Sequence, residues 1–372
     1  MLYDQNWKEL TLQRYILLLL FFACIEFANG QTLTKNISSS TQRKVGDPLQ
    51  NLPDNIEILT RFGERADISP DNRTIAFMAK TFGDAMEIDL QRRQITCLTC
   101  RIPGAAFLRV MHLSNGDYLL VGPDHFENVE LSKNASELWY LSRMYGSKPV
   151  KLDLKISEGL AISKKQLKIA YTRPGSTPGI TTQIIVADLD LTGSSPRIIN
   201  QKVVLESQDK SCRLEAQDFF DGDKQLTYFC YVPNGAFEVM GLNLASGIST
   251  NFSLKPGHFN EPEGIFPDGE YTTVESDWQC TWLGGATGSS NIDIWKLKLN
   301  GSGNDFVRLT HFNDYEGAKA ANPVVSGDGR FMAFQSARAD DPPGTGRGLL
   351  IYWFKNKKHE TRIPNRKPEK SH

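Results

Sequence analysis

The sequence predicts an all-β fold, a six-bladed β-propeller, and three observations carry that expectation. Hairpin patterns recur along the 372-residue chain, six copies of them align, and the two ends of the chain complement each other. A chain of this length could hold two or three average domains, but propellers of this size fold as one.

The recurrence is clearest between "NIEILTRFGERADISPDNRTIAFMAK" (Asn55 to Lys80) and "FVRLTHFNDYEGAKAANPVVSGDGRFMAFQSA" (Phe306 to Ala337). Both run Leu-Thr, a polar loop, a short apolar strand, Ser-x-Asp, then x-Ala-Phe. Weaker copies begin at Arg109 ("RVMHLSNGDYLLVG"), Glu158 ("EGLAISKKQLKIAYT"), Glu215 ("EAQDFFDGDKQLTYF") and Glu263 ("EGIFPDGEYTTVE"). Spaced by about 45 to 60 residues, they imply six similar units. Asp-Gly, Asn-Gly or Pro-Asp turns join two alternating runs, as tight hairpins require.

A third apolar run follows each hairpin: "MEIDL", "ELWYL", "QIIVADL", "FEVMGL", "DIWKLKL" and "GLLIYWF". A fourth short strand, such as "QITCLT" or "DFVRLT", comes before the next unit, and four antiparallel strands make a blade. The sixth unit ends one strand short at Phe354, while "IEILT" (Ile56 to Thr60) has no blade of its own. This N-terminal strand is expected to close the last blade and remove an open edge.

The Ser-x-Asp hairpins with their preceding Leu-Thr resemble TolB-type propeller repeats, a group related to the tryptophan-aspartate propellers. The resemblance covers about residues 55 to 354 and is strongest in the first and last repeats; the third has "SKKQ" at its turn and the fifth lacks the Ser. Proteins of this wider group include periplasmic interaction proteins, peptidase-associated propellers and some lyases. Turn motifs specify geometry, so the resemblance implies a fold and leaves the chemistry open.

The remaining segments read as follows. Residues 1–30 carry Lys8 and Arg14, the apolar run "YILLLLFF" and small residues at Ala28 and Gly30, the pattern of a cleaved secretory signal peptide. Residues 31–53 read as a flexible lead-in, 54–354 as the propeller and 355–372 as a basic disordered tail with seven Lys/Arg against two Glu. The expected location is extracellular, or periplasmic in a bacterium, with no membrane span after cleavage. Asn-x-Ser/Thr triplets at Asn36, Asn72, Asn134, Asn251 and Asn300 would be glycan acceptors in a secreted eukaryotic protein. Five cysteines follow the signal (Cys97, Cys100, Cys212, Cys230 and Cys280), so disulfides are expected and at least one thiol is left over. "CLTC" has no second Cys-x-x-Cys to complete a zinc site and reads as structural.

A net charge of -1 argues against nucleic acid and anionic membrane as partners. Alignment of the repeats places Arg65, Arg109, Glu158, Glu215, Glu263 and Asn322 in one column at the start of each first strand, where they ring a channel mouth. Glu158, Glu215, Glu263 and Asn322 offer oxygen ligands to calcium or another divalent cation. The competing reading is an Arg-Glu ion-pair ring that fixes the blades and takes no ligand. Long loops on the same face bring Asp124, His125, Trp278, Gln279, Trp282 and Arg338, with His258 and His311 from the links between blades; each is a binding residue or a solvated loop residue. No Gly-x-Ser-x-Gly, His-Glu-x-x-His or phosphate-binding Gly-Lys-Ser/Thr motif occurs. The expected function is a binding module for a protein or carbohydrate partner. The alternatives are a metal-assisted hydrolase or polysaccharide lyase at the channel mouth, and a purely structural ring.

Overall fold

In each blade the second strand is buried on both faces, because each blade is sandwiched between two others. The computed structural model describes residues 42–156, 158–174, 179–231, 236–342 and 344–355. The signal peptide, the site at Asn36 and nearly all of the basic tail lie outside the described residues.

Six four-stranded antiparallel sheets follow one another. The first blade holds β2 (Glu64–Ile68), β3 (Thr74–Met78), β4 (Ala85–Asp89) and β5 (Ile95–Cys97), and the second β6 (Arg109–His112), β7 (Tyr118–Gly122), β8 (Glu137–Leu141) and β9 (Val150–Lys155). The third holds β10 (Leu160–Ile162), β11 (Lys168–Pro174), β12 (Thr182–Asp190) and β13 (Arg197–Ser207); the fourth β14 (Arg213–Phe220), β15 (Gln225–Tyr231), β16 (Met240–Asn243) and β17 (Ser249–Asn251). The fifth holds β18 (Asn260–Ile265), β19 (Tyr271–Ser276), β20 (Asp293–Lys298) and β21 (Phe306–Arg308). In the sixth, β22 (Ala318–Val325), β23 (Phe331–Arg338) and β24 (Leu349–Trp353) are joined by β1 (Ile56–Ile58), with Ile56 opposite Tyr352 and Ile58 opposite Leu350.

The alternation expected in both hairpin strands holds poorly in the second one. Every residue of β7 is buried, as is all of β3 after Thr74, whereas the outer strand β5 is exposed at its first two residues. A strand covered on both faces needs a continuous apolar run, as in a parallel sheet. The core is accordingly divided into layers between blades. Leu119 and Val121 meet Ile169 and Tyr171 between the second and third, and Phe331 and Leu349 meet Ile75 and Phe77 between the sixth and first.

The repeat motifs are joints. Ser69 donates to Asp71 at 2.7 Å while its Oγ accepts the backbone N–H groups of Arg73 and Thr74, locking the β2–β3 turn. Ser326 and Asp328 do the same for β22–β23. In the third blade, whose turn lacks the Asp, Ser163 donates instead to Asp223 of the fourth at 2.7 Å. The Thr of Leu-Thr ties the outer strand to the third: the Oγ1 atoms of Thr99 and Thr310 accept from Ala85 N and Ile294 N and donate to Asp84 and Asp293.

Residues 42–53, expected as part of a flexible lead-in, carry a short 3-10 turn at Pro48–Gln50. Leu49 and Leu52 pack on the layer between the fifth and sixth blades, and Arg43 donates to Asn313 at 2.9 Å. Their apolar residues find cover that composition does not reveal.

Gly348, just before β24, has φ of 114°, and a Cβ there would sit 2.3 Å from the carbonyl oxygen of Thr60. Gly348→Ala is therefore expected to destabilise the protein by about 2–4 kcal/mol, read as an earlier midpoint in urea unfolding.

Candidate functional site

The first strands line a channel, and bulges set which of their side chains enter it. Register shifts occur in β2 between Glu64 and Asp67, in β14 between Ala216 and Asp218, in β18 between Pro262 and Ile265, and in β22 between Ala321 and Val324. The extra residues are those of interest: Arg65, Gln217, Glu263 and Asn322. A bulge re-aims a side chain in this way, and Arg65 and Asn322 adopt left-handed φ of 54° and 49° to do so.

Arg65, Arg109, Glu263 and Asn322 line one cavity of about 60 Å³, which continues down to Asp67, Lys164 and Asp218. Glu158 and Glu215 join the same electrostatic cluster. Glu158 meets Lys133 at 2.7 Å, and Lys133 arrives on the short helix α1 (Val129–Asn134) of the β7–β8 loop. Glu215 accepts from Arg213 at 3.1 Å.

Two further carboxylates complete the mouth. Glu261 lies directly opposite Glu275 on β19, and Glu263 follows two residues on. Ligand oxygens of the three lie within 4.8 Å of one another. Asn322 donates to Glu275 Oε1 from its backbone N–H and from Nδ2, the latter at 3.0 Å, and Gln217 Nε2 donates to Glu261 at 3.3 Å. Among the described residues no ion pair reaches the three carboxylates.

Ionisation divides the ring. Burial pushes the Glu158 carboxyl up, but Arg65, Lys133 and Arg109 outweigh it and hold it at about 2. Burial and Glu158 push Glu215 up. Burial, then Glu275, raises Glu263 to about 8 against the pull of Arg109 and Arg65; burial, Glu263 and Glu275 raise Glu261 well above its ordinary value. The Glu263 Oε1 and Arg109 Nε atoms are buried with no hydrogen-bond partner.

Deeper in the channel, Asp67 accepts from His112 Nδ1 at 2.8 Å and from Lys164 at 3.4 Å, and Glu87 lies 3.3 Å from the other ring nitrogen. Burial raises Asp67, but Lys164 and His112 prevail and bring it to about 2. Asp218, beside Lys164, is driven by burial to about 6. This cluster was not legible in the repeats, because its members come from four different blades.

The loop residues are dispersed. His125 is 71% exposed and pairs with Glu127, His311 is 63% exposed near Asp314, and Arg338 reaches Asp340 at 3.2 Å. His258 is held by Asp277 at 2.8 Å with Trp278 against its ring, and Gln279 is buried, bonded to Asn291, Asn313 and Trp295. Trp282 is half-exposed against Trp295. None of these joins the channel cavity. Disulfides link Cys97 to Cys100 and Cys212 to Cys230, and the Cys280 thiol is buried.

The fold and this mouth define a six-bladed β-propeller with a polar, charge-rich channel. The chain is similar to a putative TolB from Agrobacterium tumefaciens (16% identity, TM-score 0.49, 72% of this chain and 96% of that one). It is also similar to TolB from Acinetobacter baumannii (14%, 0.44, 75% and 65%) and to an oligogalacturonate lyase in complex with manganese (10%, 0.46, 79% and 78%). At these identities the similarity concerns the propeller fold alone. No protein-family model and no curated protein sequence matches the chain.

Proposed function

We propose that the protein is a secreted binding module whose ligand seat is the channel mouth ringed by Arg65, Arg109, Glu158, Glu215, Glu263 and Asn322. One observation carries the reading: a buried donor, Arg109 Nε, and a buried acceptor, Glu263 Oε1, both face one small cavity without partners. Each unpaired buried group costs about 1–3 kcal/mol, which a ligand group that accepts from one and donates to the other would offset. About 60 Å³ suits a single protruding group of a protein or carbohydrate partner, with the surrounding loops supplying the wider contact. Two disulfides support an oxidising compartment. No helix among the described residues is long and apolar enough to cross a membrane.

The test compares retention of extracellular proteins and arrayed glycans on immobilised wild-type chain, on Arg109→Ala and on a control, Asp268→Asn. A partner lost only with Arg109→Ala is expected; a partner held equally by all three sinks the reading. The metal-assisted hydrolase or lyase alternative draws on Glu263, whose carboxyl at about 8 could exchange a proton near neutral pH. It requires a turnover that Glu263→Gln abolishes while the fold persists.

A further inference from the structure

We propose that Glu261, Glu263 and Glu275 together hold a hard divalent cation, of the calcium or manganese class, at the channel mouth. The inference rests on reading the mouth as a ligand seat and names the first ligand to occupy it. Glu261 and Glu275 are paired directly across two strands, an arrangement of like charges that destabilises a sheet when nothing lies between them. With Glu263 they bring three carboxylate oxygens within 4.8 Å of one another, close enough to share one ion.

The independent observation is Glu263 Oε1, which is buried, lines the cavity and accepts no hydrogen bond. The other two carboxylates are oriented from outside, Glu275 by both N–H groups of Asn322 and Glu261 by Gln217, as second partners of metal ligands are. Purely oxygen donors select a hard cation over zinc or copper.

Arg65 and Arg109 would repel a cation if their charges were uncompensated. Arg65 lies 3.9 Å from Glu64, and Arg109, which has no ion pair among the described residues, acts with Arg65 on the Glu158 and Glu263 carboxyls, so neither charge meets the cation unopposed. Lys133 and Arg213 are likewise taken by Glu158 and Glu215. Around the mouth Glu64, Glu158, Glu215 and the three clustered carboxyl groups outnumber the four cationic side chains by two, and a dication, which binds carboxylates in their deprotonated form, balances that difference.

The full-length chain, stripped with chelator, is titrated with Mn²⁺ while the electron paramagnetic resonance signal of the free ion is followed, and Ca²⁺ is then added as competitor. The expected result is one Mn²⁺ per chain, displaced by Ca²⁺, with affinity weakened at least tenfold in Glu263→Gln and in Glu275→Gln. Because removing one of several crowded like charges raises the melting temperature of the metal-free protein, loss of binding in Glu263→Gln is separable from loss of fold. No uptake at about 1 mM, the weak end of extracellular calcium sites, overturns the proposal. So does undiminished uptake in both variants. If Mn²⁺ is not bound but Arg109→Ala still loses its partner, the cation fails and the ligand seat stands; if Mn²⁺ is bound and the partner is indifferent to Arg109, the reverse holds.

Discussion

In metal-free protein at pH 8, Glu263→Gln raises the melting temperature by roughly 5 °C, on the order of 2 kcal/mol for a domain of this size. The wild-type carboxyl titrates at about 8 in the folded protein against an ordinary 4.5, because burial and then Glu275 oppose its charge. Between those two values the folded state holds a proton that the unfolded state has released, so stability falls as pH rises from about 4.5 to 8. Glu261 and Glu215 are shifted in the same direction. Glutamine keeps the shape without the charge, so the variant gains most at the alkaline end and its stability profile flattens there. The acid limb is governed by other groups. Glu158 and Asp67, both held at about 2, contribute stability that is present above their ordinary values and is lost as pH falls toward 2. Calorimetric melting of wild type and variant from pH 2 to pH 8 checks both limbs; a variant less stable than wild type at pH 8 would refute the crowding of charge.

Asp293→Ala is expected to produce the largest loss, about 3–5 kcal/mol and roughly 10 °C in melting temperature. Asp293 begins β20 fully buried, and its carboxylate accepts from Arg308 Nε and Nη2, Thr310 Oγ1, Phe312 N and Asn313 N. These bonds fix the link between the fifth and sixth blades. Alanine leaves the Arg308 guanidinium, only 8% exposed, with Asp314 at 2.7 Å as its remaining carboxylate, and strands two buried backbone N–H groups. Asp293→Asn keeps the acceptor oxygen and should cost less than half as much. Equal losses for the two variants in urea unfolding would show that the charge alone matters and that the hydrogen-bond hub does not.

The repeats fixed the architecture because their information is local. A Ser-x-Asp turn closes on its own backbone, and a Leu-Thr outer strand bonds its own third strand, so both leave a mark in every copy of the sequence. The same alignment found Arg65, Arg109, Glu263 and Asn322, which do line one cavity, and Glu158 and Glu215, which act on it. It missed Glu261 and Glu275. "NEPEG" shows Glu at alternate positions of one strand, and the hairpin register pairs Glu261 with Glu275, so a signal was present. It was lost because the column followed only one residue per first strand, whereas Glu275 belongs to the second strand and Lys133 to a loop helix. The chain by itself determined the blades, since turns and strand periodicity act over a few residues. Which carboxylates crowd together, which are neutralised and which stay unpaired was decided only when six blades closed around a channel, because charge interactions depend on distance in space, and the bulges that set those distances leave no periodic trace.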